Sequence, residues 1–383
     1  MSTLKVDGIR HNNATSDAIT MASDGTCTAK LTSVGGGGLS HRNIIVNGAM
    51  TVSQRATSAS FTSGGAFPAL DRFKAVANSS MTVNTTISQT ADSPDGLGYC
   101  YKVLVNASQT PTGSENFIIR YSGEEQDIKR FGYGTSTCKE ATISFSVKSN
   151  KTGTYSVQIY LGNYTPNIIK TYTINSANTW ERKTITLPTY TTSFTHPSDN
   201  NRGLMNDWHL ADGPDDITST TGWDTSTTLA RAATGQVNLL DATSNYWQMT
   251  NVQFEVGNTA TSFEHRSFEE ELSRCQRYYE RHNFGDGQYI AASIQHNASS
   301  TATSRFVFYY LTRKRSNSAS FTASGTFKGY PPNEDVTLSG DSVGKCDTSI
   351  RVNVTRTTAY SGGTGILILS TGTGNYFEIE SEL

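Results

Sequence analysis

Charged residues are scarce in this chain. Asp, Glu, Lys and Arg make up 17% of its 383 residues, compared with about 25% in typical soluble proteins, and the formal net charge is −2. Lys and Arg form no dense run that could neutralise a phosphate backbone, so we expect no nucleic-acid partner. The polarity comes instead from Ser, Thr, Asn and Gly, which suits strands with hydroxyl groups on their outer faces.

Long apolar runs are also missing. No segment approaches 18 consecutive apolar residues, and the N-terminus lacks the apolar core and cleavage site of a signal peptide. We therefore expect neither membrane insertion nor secretion through a signal peptide. The five cysteines are far apart and show no metal-binding spacing, so we expect free thiols in a protein made in a reducing cytoplasm: Cys27, Cys100, Cys138, Cys275 and Cys346.

Familiar catalytic motifs are absent as well. The sequence has no GxSxG, HExxH or P-loop, and no GxGxxG between a strand and a helix. His196 and His209 occur near five aspartates, and we interpret this Asn/Asp/Gly-rich region as a solvated loop. We predict that the protein is not an enzyme and holds no cofactor. The alternative is a structural calcium ion bound by Asp212, Asp215 or Asp216.

Residues 1–38 form a separate N-terminal segment with three short apolar patches. Such short strands cannot bury a core within one chain, but three intertwined chains could do so. The alternative is a disordered arm. Gly35–Gly38 then supplies a flexible joint. The candidates for attachment to a larger assembly are the apolar residues Leu4, Val6, Ile9, Ile19 and Met21.

Residues 39–266 alternate strands and turns. Apolar side chains repeat every second residue in 142–148 and again in 155–161, and the turn at 150–153 predicts a hairpin between them. This pattern predicts a jelly-roll β-sandwich. Further strands are expected at 101–105, 116–121, 168–174, 180–187, 203–210 and 246–255.

Residues 267–282 predict a linking helix, running from about Phe268 to Arg281. Ser267 precedes Glu270 by three residues, as in a capping box, and acidic residues open the helix while arginines close it. One stripe of this helix has the spacing of a coiled-coil seam. The stripe could pack on the preceding sandwich or form a three-helix junction in a trimer, and it consists of Phe268, Leu272, Cys275 and Tyr279.

Residues 283–383 predict a second, smaller β-sandwich, with strands at 288–295, 305–311, 326–330, 349–355, 365–370 and 375–380. Exposed aromatic rings stack on sugar rings, and four aromatic residues in loop-like contexts are our candidates for glycan contact: Trp208, Trp223, Tyr330 and Tyr360. The basic run Arg313–Arg315 would suit an acidic polysaccharide, or would keep a strand edge soluble.

Three stretches carry a resemblance to a known family. They are Asn43–Arg55 with Asp71–Phe73 following, Val252–Gly257, and Phe263–Tyr279, which ends in Glu271-Leu272-Ser273-Arg274-Cys275-Gln276-Arg277-Tyr278-Tyr279. Together they resemble the β-sandwich modules of bacteriophage tail-fibre and tail-associated proteins, and the resemblance covers roughly residues 42–279. Such modules look like carbohydrate-binding sandwiches.

The resemblance implies a homotrimeric virion protein, made in the host cytoplasm, that attaches to a tail adaptor through residues 1–38. It would bind host surface polysaccharide through weak contacts repeated in three copies. The structural alternative is a capsid or tail decorating protein or adaptor without receptor contact. An enzymatic alternative is a polysaccharide depolymerase, although the chain lacks the β-helix repeats expected of most such tailspikes.

Overall fold

The computed structural model describes residues 6–10, 19–21, 23, 27–29, 41–78, 80–162, 165–220, 222–226, 231–293, 295–296, 303–330, 333–356 and 366–383. The protein is all-β, since most of the described residues lie in strands and few lie in helices. Within the described residues, no helix is both long and apolar enough to cross a membrane.

The N-terminal segment forms a small antiparallel sheet of three strands, β1 (Gly8–Ile9), β2 (Ile19–Met21) and β3 (Cys27–Ala29). Ile9 lies opposite Ile19, and Met21 follows Ile19 by two residues, so these three side chains share one face. Ile9 and Met21 are exposed. Val6 is half-buried, and Leu4 lies outside the described residues. The sheet therefore presents an apolar face that this chain leaves exposed.

Fifteen strands and four short helical turns follow, and most of the strands pack as two sheets. The turns are α1 (Glu125–Ile128) and the 3₁₀ helices Lys129–Phe131, Pro214–Asp216 and Leu239–Asp241. The strands are β4 (Ser58–Phe61), β5 (Gly64–Ala66), β6 (Phe73–Ala77), β7 (Asn84–Thr90), β8 (Cys100–Ala107), β9 (Asn116–Glu124), β10 (Ala141–Ser149), β11 (Gly153–Leu161), β12 (Asn167–Ile174), β13 (Glu181–Leu187), β14 (Arg202–Asp212), β15 (Ile217–Thr218), β16 (Trp223–Asp224), β17 (Ala232–Ala233) and β18 (Tyr246–Val256).

One sheet has the order β13-β10-β18-β8-β7-β4 and the other β16-β12-β11-β14-β9-β6-β5, while β15 and β17 form a separate parallel pair. The large core lies between the two main sheets. The expected hairpin of β10 and β11 is wrong, because each strand belongs to a different sheet. The expected inward faces are correct, since Phe145 of β10 and Val157 of β11 are both fully buried. The turn at residues 150–153 thus carries the chain across the core.

The linking helix, α2 (Phe268–Gln276), begins where the sequence predicts. The Ser267 hydroxyl accepts a hydrogen bond from the Glu270 backbone N–H, at 3.3 Å. The helix ends five residues before Arg281, because the chain then turns into a strand. The stripe is therefore not a continuous helical seam. Leu272 and Cys275 pack on the sandwich of the same chain.

The other two members of the stripe are separated from that contact. Phe268 is exposed, whereas Tyr279 is buried on a strand rather than on the helix. The interpretation in which the stripe packs on the preceding sandwich is the one that the structure supports. A three-helix junction through all four residues is wrong, because Cys275 and Tyr279 are already covered within one chain.

Residues 279–383, the tip, form one antiparallel sheet that curls over into a sandwich-like unit. Its order is β19-β26-β23-β24-β25-β22-β21, and β20 also pairs with β26. The strands are β19 (Tyr279–Phe284), β20 (Tyr289–Ser293), β21 (Gln295–His296), β22 (Thr303–Tyr309), β23 (Ser320–Tyr330), β24 (Glu334–Lys345), β25 (Ser349–Arg356) and β26 (Ile366–Glu380). A second, smaller core lies on the concave side of this sheet, and it includes Phe327, Val352 and Phe377.

The motif at residues 43–55 packs directly on the motif at residues 252–279. The Asn43 side chain donates to the Val252 carbonyl at 2.9 Å and accepts from the Phe254 N–H at 3.1 Å. The Asn47 N–H donates to the Glu271 carboxylate at 2.5 Å. Residues more than 200 positions apart therefore close the sandwich and fix the start of the helix.

Buried charges join the sandwich to the tip. Arg72 is almost fully buried; its guanidinium lies 3.4 Å above the centre of the Tyr278 ring and pairs with Glu382 near the C-terminus. Arg277, which lies between α2 and the tip and is half-buried, makes a bidentate contact with the buried Glu124 at 2.6 and 2.8 Å. Because a buried charge is costly without its partner, these pairs hold the two units in one relative position. We call this group the joint.

Candidate functional site

More than half of the large apolar side chains that are exposed among the described residues belong to the tip. Eleven large apolar side chains are exposed among the described residues, and six of them lie in the tip: Tyr289, Val307, Tyr309, Leu311, Tyr330 and Leu367. Single exposed apolar residues are ordinary, whereas a contiguous group marks a contact surface. Three of the six are brought together by strand pairing.

Strand register places these three side chains side by side on β20, β26 and β23. Leu367 lies directly opposite Tyr330 on one flank and Ala292 on the other. Leu369, two residues further along β26, lies between Tyr289 and Lys328. Directly opposite residues in an antiparallel sheet share a face. We call this surface the tip stripe, and it consists of Tyr289, Ala292, Lys328, Tyr330, Leu367 and Leu369.

The outward direction of the tip stripe follows from its neighbours. Ile366 and Ile368, which alternate with the two leucines of β26, are buried in the core of the tip. Tyr289, Tyr330 and Leu367 are therefore held on the convex face, with 60%, 49% and 42% of their surfaces exposed. Rigid strands, rather than a loop, position the two tyrosines.

A bulge at Gly325 shapes the same sheet. The side chain of Asn375 donates to the Thr326 carbonyl at 3.0 Å and accepts from its N–H at 3.2 Å. A Cβ on Gly325 would lie 1.9 Å from the Asn375 side-chain oxygen, and its φ is +110°, so no other residue fits. The bulge separates the half of β26 that pairs with β19 from the half that carries the tip stripe.

The chemistry of the tip stripe suits a sugar. Tyrosine rings supply apolar faces for pyranose rings and a hydroxyl at the rim, and Lys328 adds a cation beside them. No catalytic arrangement of carboxylates lies on this stripe, since its six side chains are aromatic, aliphatic or basic. The stripe therefore offers apolar faces and hydroxyl groups for binding.

The glycan-contact candidates have four different outcomes. Tyr330 is exposed in the tip stripe, and Tyr360 lies outside the described residues. Trp208 is wrong as a contact residue, because it is fully buried in the sandwich core with its ring 5.9 Å from that of Phe145. Trp223 is half-buried and packs its ring 5.3 Å from that of Tyr190.

Loop composition in the sequence does not point to Tyr289 as a contact residue. The signal in the sequence was weak, because Tyr289 opens a short strand after Gly285–Gly287 and resembles any tyrosine of a β-rich chain. Its position in the tip stripe depends on pairing with Leu369, which is 80 residues away.

The three aspartates near residue 210 lie in different surroundings. The side chain of Asp212 is fully buried, and its Oδ1 lies 2.7 Å from Nδ1 of His209. Asp216 is buried and accepts from the Asn116 amide at 3.0 Å, and Asp215 is exposed. Over the described ranges, no three His, Cys, Asp or Glu side chains surround a point where a metal ion could bind. The interpretation of this region as a solvated loop is wrong for His209 and Asp212, because both residues belong to strand β14 and their side chains are buried.

The basic run at 313–315 is not a surface patch. Lys314 is buried and pairs with the buried Glu280 at 3.0 Å, and Arg315 donates to the carbonyls of Ser381 and Asn200. Of the three, Arg313 is exposed, and it pairs with Asp347. Two of the three cations thus help to fasten the tip rather than attract a polysaccharide.

No protein-family model and no curated protein matches the sequence. Among solved structures, the chain is similar to the enzymatically active domain of tailspike protein 4 of bacteriophage CBA120, with 10% identity, 56% of this chain and 21% of that chain covered, and a TM-score of 0.28. The chain thus spans about a fifth of that tailspike domain.

The chain is also similar to two carbohydrate-binding modules. The first is the family 11 module from Clostridium thermocellum in complex with a β-1,3-1,4-mixed-linked tetrasaccharide, with 13% identity, 55% and 99% of the two chains covered, and a TM-score of 0.26. The second is a xylan-binding module of Paenibacillus barcinonensis, with 11% identity, 55% and 99% covered, and a TM-score of 0.23.

Proposed function

We propose that this chain is a binding protein of a phage virion, a tail fibre that attaches to host surface glycans through the tip stripe. The observation that carries the proposal is the pairing of Tyr330, Leu367 and Ala292 beside Tyr289 on one exposed, rigid face. The resemblance of residues 42–279 to tail-fibre modules supports the virion role. Each contact is weak, and several copies would combine them into avidity.

The N-terminal sheet supports the assembly part of the proposal. Ile9, Ile19 and Met21 lie on one face, and Ile9 and Met21 are exposed by 50% and 41%. An apolar face of three short strands needs a partner to be buried. We assign that partner to two further copies of the same segment and, in the virion, to the tail adaptor.

Binding is tested with the purified full-length chain on an array of bacterial surface polysaccharides. We expect binding to at least one polysaccharide, weakened at least about tenfold in Tyr289→Ala/Tyr330→Ala, because each buried aromatic ring contributes roughly 1 kcal/mol or more. Tyr309→Ala is the matched control, since Tyr309 is exposed on β22, outside the tip stripe. Equal binding by the double variant would contradict the role of the tip stripe.

Assembly is tested separately by sedimentation. We expect a trimer for the wild type and monomers for Ile9→Asp/Met21→Asp, because carboxylates on the apolar face would be desolvated in the assembly. Thr20→Asp places the same charge on the opposite face of β2 and should remain a trimer. A wild-type chain that sediments as a monomer at micromolar concentration would argue against the fibre. Removal of residues 1–34 should leave a folded protein that is no longer incorporated into virions.

A further inference from the structure

A cavity of about 340 Å³ lies where the start of the sandwich meets both helices. One wall is the segment 41–46, another is α1 with the 3₁₀ helix that follows it, and α2 contributes Arg274. The volume lies at the lower end of the roughly 300–1,000 Å³ of ligand pockets, which suits a ligand of one sugar ring. None of the lining residues belongs to the tip stripe.

Asp127 of α1 offers an acceptor without a hydrogen-bond partner. Its side chain is half-buried, lines the cavity and accepts no hydrogen bond in the part of the chain that the structure describes. Arg130, three residues later, donates instead to the carbonyls of His41 and Arg42. Burial raises the pKa of the Asp127 carboxyl, and so does Glu124, while nearby arginines lower it. Carboxylates taken partly out of water are normally hydrogen-bonded, so this one marks a place where a ligand can donate.

Arg274 offers a donor on the α2 side of the same cavity. Its Nε and Nη2 atoms donate to Glu270 at 3.2 and 2.9 Å, whereas Nη1 makes no hydrogen bond to any residue that the structure describes. The side chain is 37% exposed, so this third nitrogen remains accessible. The two helices therefore bring a free acceptor and a free donor to one cavity.

The remaining lining residues supply an apolar wall and an open mouth. Ile44 and Val46 are 8% and 6% exposed, and both line the cavity. His41, Gln126 and Arg130 are exposed lining residues, so a ligand can enter without unfolding of the sandwich. An apolar wall combined with a donor and an acceptor fits a ring that has a carbon face and hydroxyl groups at its edge.

We propose that this cavity binds one neutral sugar ring. One sugar hydroxyl would donate to Asp127, and a second would accept from Nη1 of Arg274. The carbon face of the ring would lie against Ile44 and Val46. A sugar carboxylate would be repelled by Asp127, and a sugar amine by Arg130 and Arg274, so a neutral ring is favoured over either charged form. The site goes beyond attachment through the tip stripe, because it gives the sandwich a binding role of its own.

The test uses saturation-transfer NMR on the full-length chain carrying Tyr289→Ala/Tyr330→Ala, so that the tip stripe makes no contribution. The neutral probes, at millimolar concentration, are the methyl glycosides of glucose, galactose and mannose, and the charged probes are glucuronate and glucosamine. We expect transfer to at least one neutral probe. Its dissociation constant should rise at least about tenfold in Asp127→Asn and in Arg274→Ala, because each change removes a hydrogen bond to a charged group.

Each variant has a matched control outside the cavity. Glu269→Gln neutralises an exposed carboxylate on α2, and Arg313→Ala removes an exposed arginine that pairs with Asp347 in the tip. Both controls should bind as the parent protein does. Arg274→Ala keeps the test decisive if Asp127→Asn misfolds, because loss of an exposed ion pair changes stability little.

Three results would overturn the proposal. The first is no transfer to any neutral probe, and the second is transfer to a charged probe alone. The third is binding that Asp127→Asn or Arg274→Ala leaves unchanged, or weakens no more than the matched control does, in a protein with an unaltered circular dichroism spectrum. Because the tip stripe is disabled throughout, none of these results depends on whether the tip binds a polysaccharide.

Discussion

The sandwich and the tip place their large apolar side chains differently. Among the described residues of 41–266, Leu97 and Tyr99 are the exposed members of this class, whereas the shorter tip exposes six. The two sheets of the sandwich bury one face against each other, while the tip is a single sheet that curls around its own core. The convex face of the tip carries exposed apolar side chains, among them the two tyrosines of the tip stripe.

The sandwich and the tip meet at the joint, and removing one of its charges should have the largest effect on the free energy of unfolding. Arg72→Ala would leave Glu382 with Arg55, 3.5 Å away, as a partial substitute. We expect a loss of about 3–5 kcal/mol in the free energy of unfolding, and separate transitions for sandwich and tip in calorimetry. Arg274→Ala, which removes an exposed pair with Glu270, should change stability by less than about 1 kcal/mol. A single transition at the wild-type temperature in Arg72→Ala would refute the joint.

Two aromatic substitutions sharpen the comparison. Trp208→Ala should lower the free energy of unfolding by about 3–5 kcal/mol, because it leaves a cavity at a fully buried position between Phe73 and Phe145. Tyr330→Ala should change stability by no more than about 0.5 kcal/mol, because its ring is half exposed. Urea denaturation of both variants measures the difference. An equal loss of stability in the two variants would mean that the tip stripe is buried in solution.

Asp71 makes the sandwich side of the joint sensitive to pH. Burial raises the pKa of its carboxyl to about 6, although Arg55 and the hydrogen bonds from Gln54 lower it; Glu382 adds to the increase. A folded-state pKa above the unfolded value means that this group stabilises the protein below about pH 4 and that the contribution is lost as the pH rises through about 6.

Asp71→Asn, which resembles the protonated form, should therefore gain stability relative to the wild type between about pH 4 and about pH 7. The gain should reach at most about 3 kcal/mol. Denaturation curves of both proteins at several pH values measure it. A constant difference across this range would show that Asp71 remains ionised. Gln54→Leu removes the side-chain hydrogen bond that lowers the pKa of Asp71, and therefore measures the effect of that contact.

The smallest effect concerns cysteine reactivity and leaves stability unchanged. Hydrogen bonds from Ser349 and Thr348, at 3.2 Å each, lower the pKa of Cys346 in the tip to about 7, whereas burial raises that of Cys100 in the sandwich to about 11. Since the thiolate reacts, iodoacetamide should label Cys346 first, and faster at about pH 8 than at about pH 6. Mass spectrometry of the peptides identifies the site, and faster labelling of Cys100 would contradict this assignment.

Some elements could be predicted because the information is local. Alternation in β10 and β11 predicted which side chains point inward, whichever strand each would pair with. Ser267 and Glu270 predicted the start of α2, since a cap needs only three residues. The end of α2 was missed because Tyr278 and Tyr279 leave the helix for contacts with Glu124 and β26, which lie far away in sequence. Strand β24 was missed because its Gly, Asp and Glu residues have a low strand propensity.

By itself, the sequence determined the all-β class, the inward faces of the strands and the helix cap, because these follow from spacing over a few residues. The tertiary structure alone decided that Trp208 is core, that Lys314 is buried with Glu280, and that Tyr289 stands beside Tyr330. It also brought Glu125 to His196 across 71 residues. Whether a side chain is exposed, and which residue it contacts, depends on which strands pair and which sheets stack. Strand pairing and sheet stacking result from many weak contacts between residues far apart in sequence, so a local sequence pattern does not predict them.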